Sequence, residues 1–211
     1  MFNRREIMAH FKLMNPYIAF GFILFFAGVV MGGIPTAFSN YLEEQIQSLS
    51  GLANTLNESA NPTLAFIIFI FINNAVKAIF IIYLGSLLGI LPAIFLVFNG
   101  MVIGFLMQHV ANTQGIGEMF TLIIGLIPHG IIEIPAIVIA CAYGMKFGKL
   151  IINKMGSILF PVKKKETEAG RGEIESFVIR TVPVVVILTV ALLIASIIES
   201  TISIWLMTLM K

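Results

Sequence analysis

The chain has no aspartate, one cysteine, one tryptophan and few charges of either sign. Charged residues make up 11% of its 211 positions and hydrophobic ones 58%, against roughly 25% charged in ordinary soluble domains. That deficit excludes a large soluble domain and points to a single all-α, polytopic membrane bundle over residues 1–211. Cys141 falls inside an apolar run, so no internal disulfide can form and the redox compartment cannot be read from it. There is no HExxH, no G-x-S-x-G and no phosphate-cradling glycine loop. No enzymatic activity, catalytic residue or cofactor is therefore expected. A net charge of +2 selects no partner class, and nothing points to nucleic acid.

What is present is apolar length. A helix needs about 20 apolar residues to cross the hydrocarbon core, and five stretches qualify: 16–38, 64–84, 90–110, 119–145 and 177–206. The first is read as a retained span, because no short apolar core with a small-residue cleavage site follows Arg4 and Arg5. Only Gly85-Ser86-Leu87-Leu88-Gly89 separates the second and third, which predicts a tight helical hairpin, with a re-entrant pair as the alternative. Arg4, Arg5 and Lys12 precede the first span, and Lys146, Lys149, Lys154, Lys163, Lys164, Lys165, Arg171 and Arg180 lie between or beside the last two. The loops 39–63 and 111–118 hold neither Lys nor Arg. Because basic loops stay cytoplasmic, the N-terminus is expected inside, the C-terminus outside and Trp205 at the outer interface of the cell membrane.

Two connecting segments carry a pattern. In the outer loop 39–63, Leu42, Ile46, Leu49, Ala53 and Leu56 alternate steps of four and three, a short helical seam. It can lie on the membrane surface, cap the bundle or pair with a second copy. Asn57-Glu58-Ser59 in the same loop fits a glycosylation acceptor. The segment 146–176 is basic, and its 163–175 portion mixes Lys, Glu and Gly with almost no apolar residues, which predicts a solvated cytoplasmic linker. Its Lys163-Lys164-Lys165 run serves as a topology signal or touches anionic headgroups, at about 1 kcal/mol per basic residue.

The chemistry lies in the polar residues inside the spans. An ionisable group near the bilayer centre costs roughly 3 kcal/mol on insertion scales and so faces protein or a wet cavity. At about 1.5 Å per residue, Asn73 and Lys77 fall about 14 and 20 Å down the second span, and His129 and Glu133 about 16 and 22 Å down the fourth. Asn99 lies about 12 Å from the inner end of the third. Asn74 belongs to the same buried polar cluster, Lys77 opposite Glu133 is a predicted ion pair, and Glu199 is a further buried acid on the fifth span. Pro128, Gly130 and Pro135 predict an interruption of the fourth span, since each proline removes a backbone donor. Such a polar set either glues helices together, at roughly 0.6 to 2 kcal/mol per hydrogen bond, or marks a binding site at a broken helix. His129 and Glu133 supply two metal ligands where a catalytic zinc ordinarily has three from the protein, and His10 and His109 lie near opposite faces, so no metal site is expected. Gly28/Gly32, Gly85/Gly89, Gly100/Gly104 and Gly144/Gly148 are small-residue steps of four, suited to internal packing first and homodimerisation second.

Asn73-Asn74-Ala75-Val76-Lys77 in one span, Phe98-Asn99-Gly100-Met101-Val102-Ile103-Gly104 in the next, Pro128-His129-Gly130 followed by Glu133-Ile134-Pro135-Ala136, and Glu199 near the end resemble the stage II sporulation protein M family. The resemblance covers most of the chain. It implies an integral membrane anchor or scaffold: in endospore-forming bacteria the family's namesake is the membrane partner of two cell-wall-degrading proteins that drive engulfment. The family also has members in organisms, archaea among them, that neither sporulate nor have such a wall. The resemblance, with the outer seam and the small-residue faces, thus implies a non-enzymatic scaffold in the lipid bilayer with protein partners or a second copy of itself; the buried His129, Glu133 and Lys77 give the alternative, a small carrier or ion-conducting protein.

Overall fold

The structure, a computed structural model, describes residues 4–34, 38–159 and 164–209, and among these there are helices and no strand. In order they are α1 (Arg4–Gly32), α2 (Ser39–Asn57), α3 (Pro62–Leu84), α4 (Ile90–Thr113), α5 (Ile116–Leu159) and α6 (Lys164–Ile198), then a π-helical turn (Glu199–Ser203) and α7 (Ile204–Leu209). Five segments are long and apolar enough to cross a membrane: Phe11–Gly32, Pro62–Leu84, Ile90–Thr113, Ile116–Ser157 and Gly172–Ser203. The expected polytopic helical bundle is what forms.

Local signals fix several ends. Asn61 caps α3, its side chain accepting from the Leu64 amide at 3.2 Å, and Pro62 occupies the first turn, where its missing N–H is no loss. Leu88 and Gly89 both take positive φ in the turn before α4, and Gly115, at φ 100°, separates α4 from α5. Inside the spans, Thr181, Thr189, Ser196 and Thr201 bond back to carbonyls of the preceding turn, so these hydroxyls need no partner across the bundle.

Helix α5 is the axis of the bundle. It packs against α1, α3, α4 and α6, and Val138, Ala140, Cys141, Ala142 and Tyr143 on it are fully buried. The predicted interruption is absent: α5 runs unbroken through Pro128, Gly130 and Pro135. Each proline frees one carbonyl, at Ile124 and Ile131, a cost of about 3 kcal/mol in an isolated helix. Contact with four neighbouring helices outweighs it. The predicted hairpin of α3 and α4 also takes another form. The turn is tight, but the two helices touch little; α4 packs on α1 and α5, α3 on α5 and α6.

All four glycine steps are consumed by internal packing. A Cβ at Gly28 or Gly32 would strike the carbonyls of Val97 and Met101, and one at Gly100 or Gly104 those of Phe25 and Val29, so α1 and α4 lie backbone to backbone. On the other side of α5, Gly85 meets Gly144 and Gly148 meets Gly89. At the same end Lys146 Nζ sits 5.6 Å from the centre of the Tyr17 ring, tying α5 to α1.

The seam on α2 caps the bundle. Leu42 is buried against Met101 and Phe105, Ile46 packs beside it, and Phe38 and Tyr41 meet the Phe98 ring edge-on at 5.6 and 6.1 Å. In the basic segment 146–176, whose 163–175 portion is expected as a solvated linker, the described residues are helical; residues 160–163, Lys163 of the lysine run among them, lie outside the described residues. Since Gly148 is level with the α3–α4 turn, α5 continues for 11 residues beyond it, about 16 Å. Phe177 stacks on Phe147 at 5.9 Å, which puts the first turns of α6 beyond the same level.

Gly28→Ala and Gly100→Ala are each expected to destabilise the bundle by about 1 to 3 kcal/mol, because a methyl group has only backbone to displace. Gly130→Ala, with nothing nearer than Ile134 Cδ1 at 3.6 Å, should be neutral or stabilise by up to about 1 kcal/mol. Unfolding of the purified protein in detergent, followed by helical circular dichroism, ranks the three; equal tolerance at all of them would contradict the backbone contact.

Candidate functional site

Helices α3 and α5 run parallel with a constant offset. Gly85 meets Gly144 and Asn74 meets Glu133, each pair separated by 59 positions. The Asn74 side-chain amide donates to Glu133 Oε1 at 2.9 Å, and Asn73 Nδ2 reaches Asn74 Oδ1 at the outer limit of 3.5 Å. One turn away on the same face of α5, buried His129 places Nδ1 3.0 Å from Ser203 Oγ. Ser203 belongs to the π-helical turn, as do Glu199 and Ser200. Such single turns occur within α-helices at functional sites, because the wider winding re-aims the side chains it carries.

The result is a convergence of three groups from two elements. Ligand-type atoms of His129, Glu133 and Glu199 all lie within 4.8 Å of one another. Glu199, expected as a further acid of the buried polar set on the fifth span, joins His129 and Glu133 as a third ligand-type group, and the two-ligand limit read from the sequence does not hold. Ser200 is 4% exposed, and its Oγ has no hydrogen-bond partner. Neither Ser200 nor Ser203 was anticipated. The signal for them was the polar run Glu199-Ser200-Thr201 with Ser203 closing an otherwise apolar span.

Two expected members stand elsewhere. Lys77 is exposed on α3 and makes no salt bridge with Glu133, although it is near enough to attract the carboxylate electrostatically. The offset of 59 explains this: it sets Asn74, one turn earlier, level with Glu133 and leaves Lys77 level with apolar Ala136. Asn99 donates to the Phe95 carbonyl of its own helix at 2.7 Å and takes no part in the cluster's hydrogen bonds.

Above the cluster lies a chamber of about 350 Å³. Leu49, Leu52, Ala53 and Leu56 of α2, Phe66, Phe69 and Ile70 of α3, and Leu122, Gly125 and Leu126 of α5 form its apolar walls. His129, Glu199, Ser200 and Ser203 supply the polar groups of its lining. The second half of the α2 seam thus faces this space. An apolar cavity with a few convergent polar groups is the usual form of a small-ligand or ion site.

Nothing matches this chain among curated proteins or among solved structures. The sequence model of the family described as stage II sporulation protein M matches residues 21–204, from the middle of α1 through the π-helical turn, and so includes every residue of the polar cluster. With most of its length matched and five membrane-length helices in its fold, this chain belongs to the stage II sporulation protein M family and is a membrane protein.

Proposed function

We propose that the protein is a non-enzymatic, multi-pass scaffold of the cell membrane that holds partner proteins at the bilayer. The observation that carries this reading is the length of α5 and α6. At 44 and 35 residues they measure about 66 and 52 Å, against a hydrocarbon core of about 30 Å. Both continue beyond the level of the α3–α4 turn, on the basic and by expectation cytoplasmic side. Ile152, Met155 and Leu159, spaced by three and four on the projecting end of α5, are 46%, 50% and 68% exposed. Family membership agrees with an anchoring role. The glycine steps and much of the α2 seam are used within the chain, so the partner surface is sought on the projecting helices.

A photo-crosslinking residue at Met155 in native membranes should give discrete protein adducts that disappear on Ile152→Lys, while the same residue at Ile131, 69% exposed at mid-span, should label lipid. Lipid adducts alone at both positions would remove the reading.

A second reading is favoured by the convergence of His129, Glu133 and Glu199 beside the chamber: a small carrier or ion-conducting protein. Histidine titrates near physiological pH and acids inside a membrane mark ion pathways. Glu133→Gln should then abolish pH-gradient-driven ion flux in proteoliposomes while the folded fraction stays at the parent level. Flux that is absent from both proteins, or equal in both, would rule this out.

A further inference from the structure

We propose that His129, Glu133 and Glu199 form a binding site for a divalent transition-metal cation inside the bundle. This goes beyond the scaffold reading and does not depend on it; to the carrier reading it adds the class of ion. The groups are a buried imidazole and two carboxylates, with ligand atoms within 4.8 Å of one another. Imidazole nitrogen with carboxylate oxygen is a donor set for Zn²⁺ and its first-row neighbours, and three protein ligands with one open position is the usual arrangement of a reactive zinc site. Tetrahedral ligands about 2.0 Å from zinc lie about 3.3 Å apart, so no two of the three ligand atoms need approach by more than about 1.5 Å.

The surroundings are those a metal ligand requires. Ser203 Oγ, 3.0 Å from Nδ1, orients the ring of His129, and with Nδ1–H donating to that oxygen Nε2 is the nitrogen with a lone pair for a cation. Asn74 holds Glu133 through one oxygen and leaves the other for coordination. A neutral amide does not cancel charge, and Glu199 stands within electrostatic range of Glu133. Two acids brought together in an apolar bundle repel unless a cation or a proton lies between them. The independent observation that points to a ligand is Ser200. Its hydroxyl is buried without a partner beside the same chamber, and a buried polar group in that condition calls for a ligand, ion or water. A chamber of about 350 Å³ offers room for the open coordination position and for water upon it. The π-helical turn is what delivers Glu199, Ser200 and Ser203 together.

The test uses the full, tag-free chain, stripped with chelator in lipid nanodiscs and titrated with Zn²⁺. One equivalent should bind saturably and raise the unfolding temperature. Affinity should fall about tenfold or more in Glu199→Gln and His129→Gln, fall by a similar factor in Ser203→Ala through loss of the ring's orienting bond, and stay unchanged in Asn99→Ala. X-ray absorption of the Zn²⁺-loaded parent reads the ligands without any substitution, so variants that fail to fold do not decide the matter. A nitrogen and oxygen shell with one imidazole supports the site. Sulfur scattering, several imidazoles, no saturable uptake by the folded parent, or uptake indifferent to Glu199→Gln in a folded variant would overturn it, the acids then sharing a proton instead.

Discussion

The close approach of Gly85 to Gly144 and of Gly89 to Gly148 is the constraint on which the centre of this protein depends. With no Cβ on either side, α3 and its following turn seat against α5 at one register, an offset of 59 positions for the Gly85–Gly144 pair. Eleven residues up both helices, the same offset delivers Asn74 to Glu133. A slip of a single residue would rotate each helix face by roughly 100° and separate the pair. Packing of small residues at one end of the helices therefore decides a hydrogen bond in the middle of the bundle.

The α1–α4 pair solves the same problem on the other side of α5. Lipid tails are as apolar as leucine, so burial gives helices little reason to associate, and close van der Waals contact has to supply it. Gly28 and Gly32 facing Val97 and Met101, and Gly100 and Gly104 facing Phe25 and Val29, supply it by bringing backbones together. Enclosed on several sides, α5 tolerates two prolines that would break an exposed helix. Its Pro128–Pro135 stretch carries His129 and Glu133 on a continuous helix, and the irregular winding sits opposite them, in the turn that bears Glu199 and Ser203.

Two faces of the molecule remain distinct in their demands. Within the apolar layer, hydroxyls of α6 bond to their own backbone and one carboxylate is held by a neutral amide, so most polarity is internally settled. The unsettled part gathers at Ser200 and the acids beside the chamber. Beyond the level of the α3–α4 turn, α5 and α6 continue as helices, and Ile152, Met155 and Leu159 of α5 are exposed there. The proposed scaffold and the proposed ion site call on these two regions separately and are compatible in one chain.

Hydropathy and spacing read locally, and what they determined is local: five membrane-length apolar helices, an amphipathic helix before the second, glycine steps that pack, and polar residues committed to the interior. Of the polar residues the exception is Lys77, which is exposed; the rest follows because the bilayer demands a fixed apolar length and every backbone group must be satisfied within its own helix. The Lys77–Glu133 pairing, the inclusion of Asn99 and the break at Pro128 failed because depth counted from helix ends is insensitive to rotation and register, and proline's cost depends on its neighbours. Only the tertiary structure decided that Asn74 takes Glu133, that Glu199 turns to face His129, and that α2 lines a chamber beside them. Those outcomes rest on backbone-to-backbone contacts and one π-helical turn, whose effect depends on segments 59 or more residues apart meeting in space.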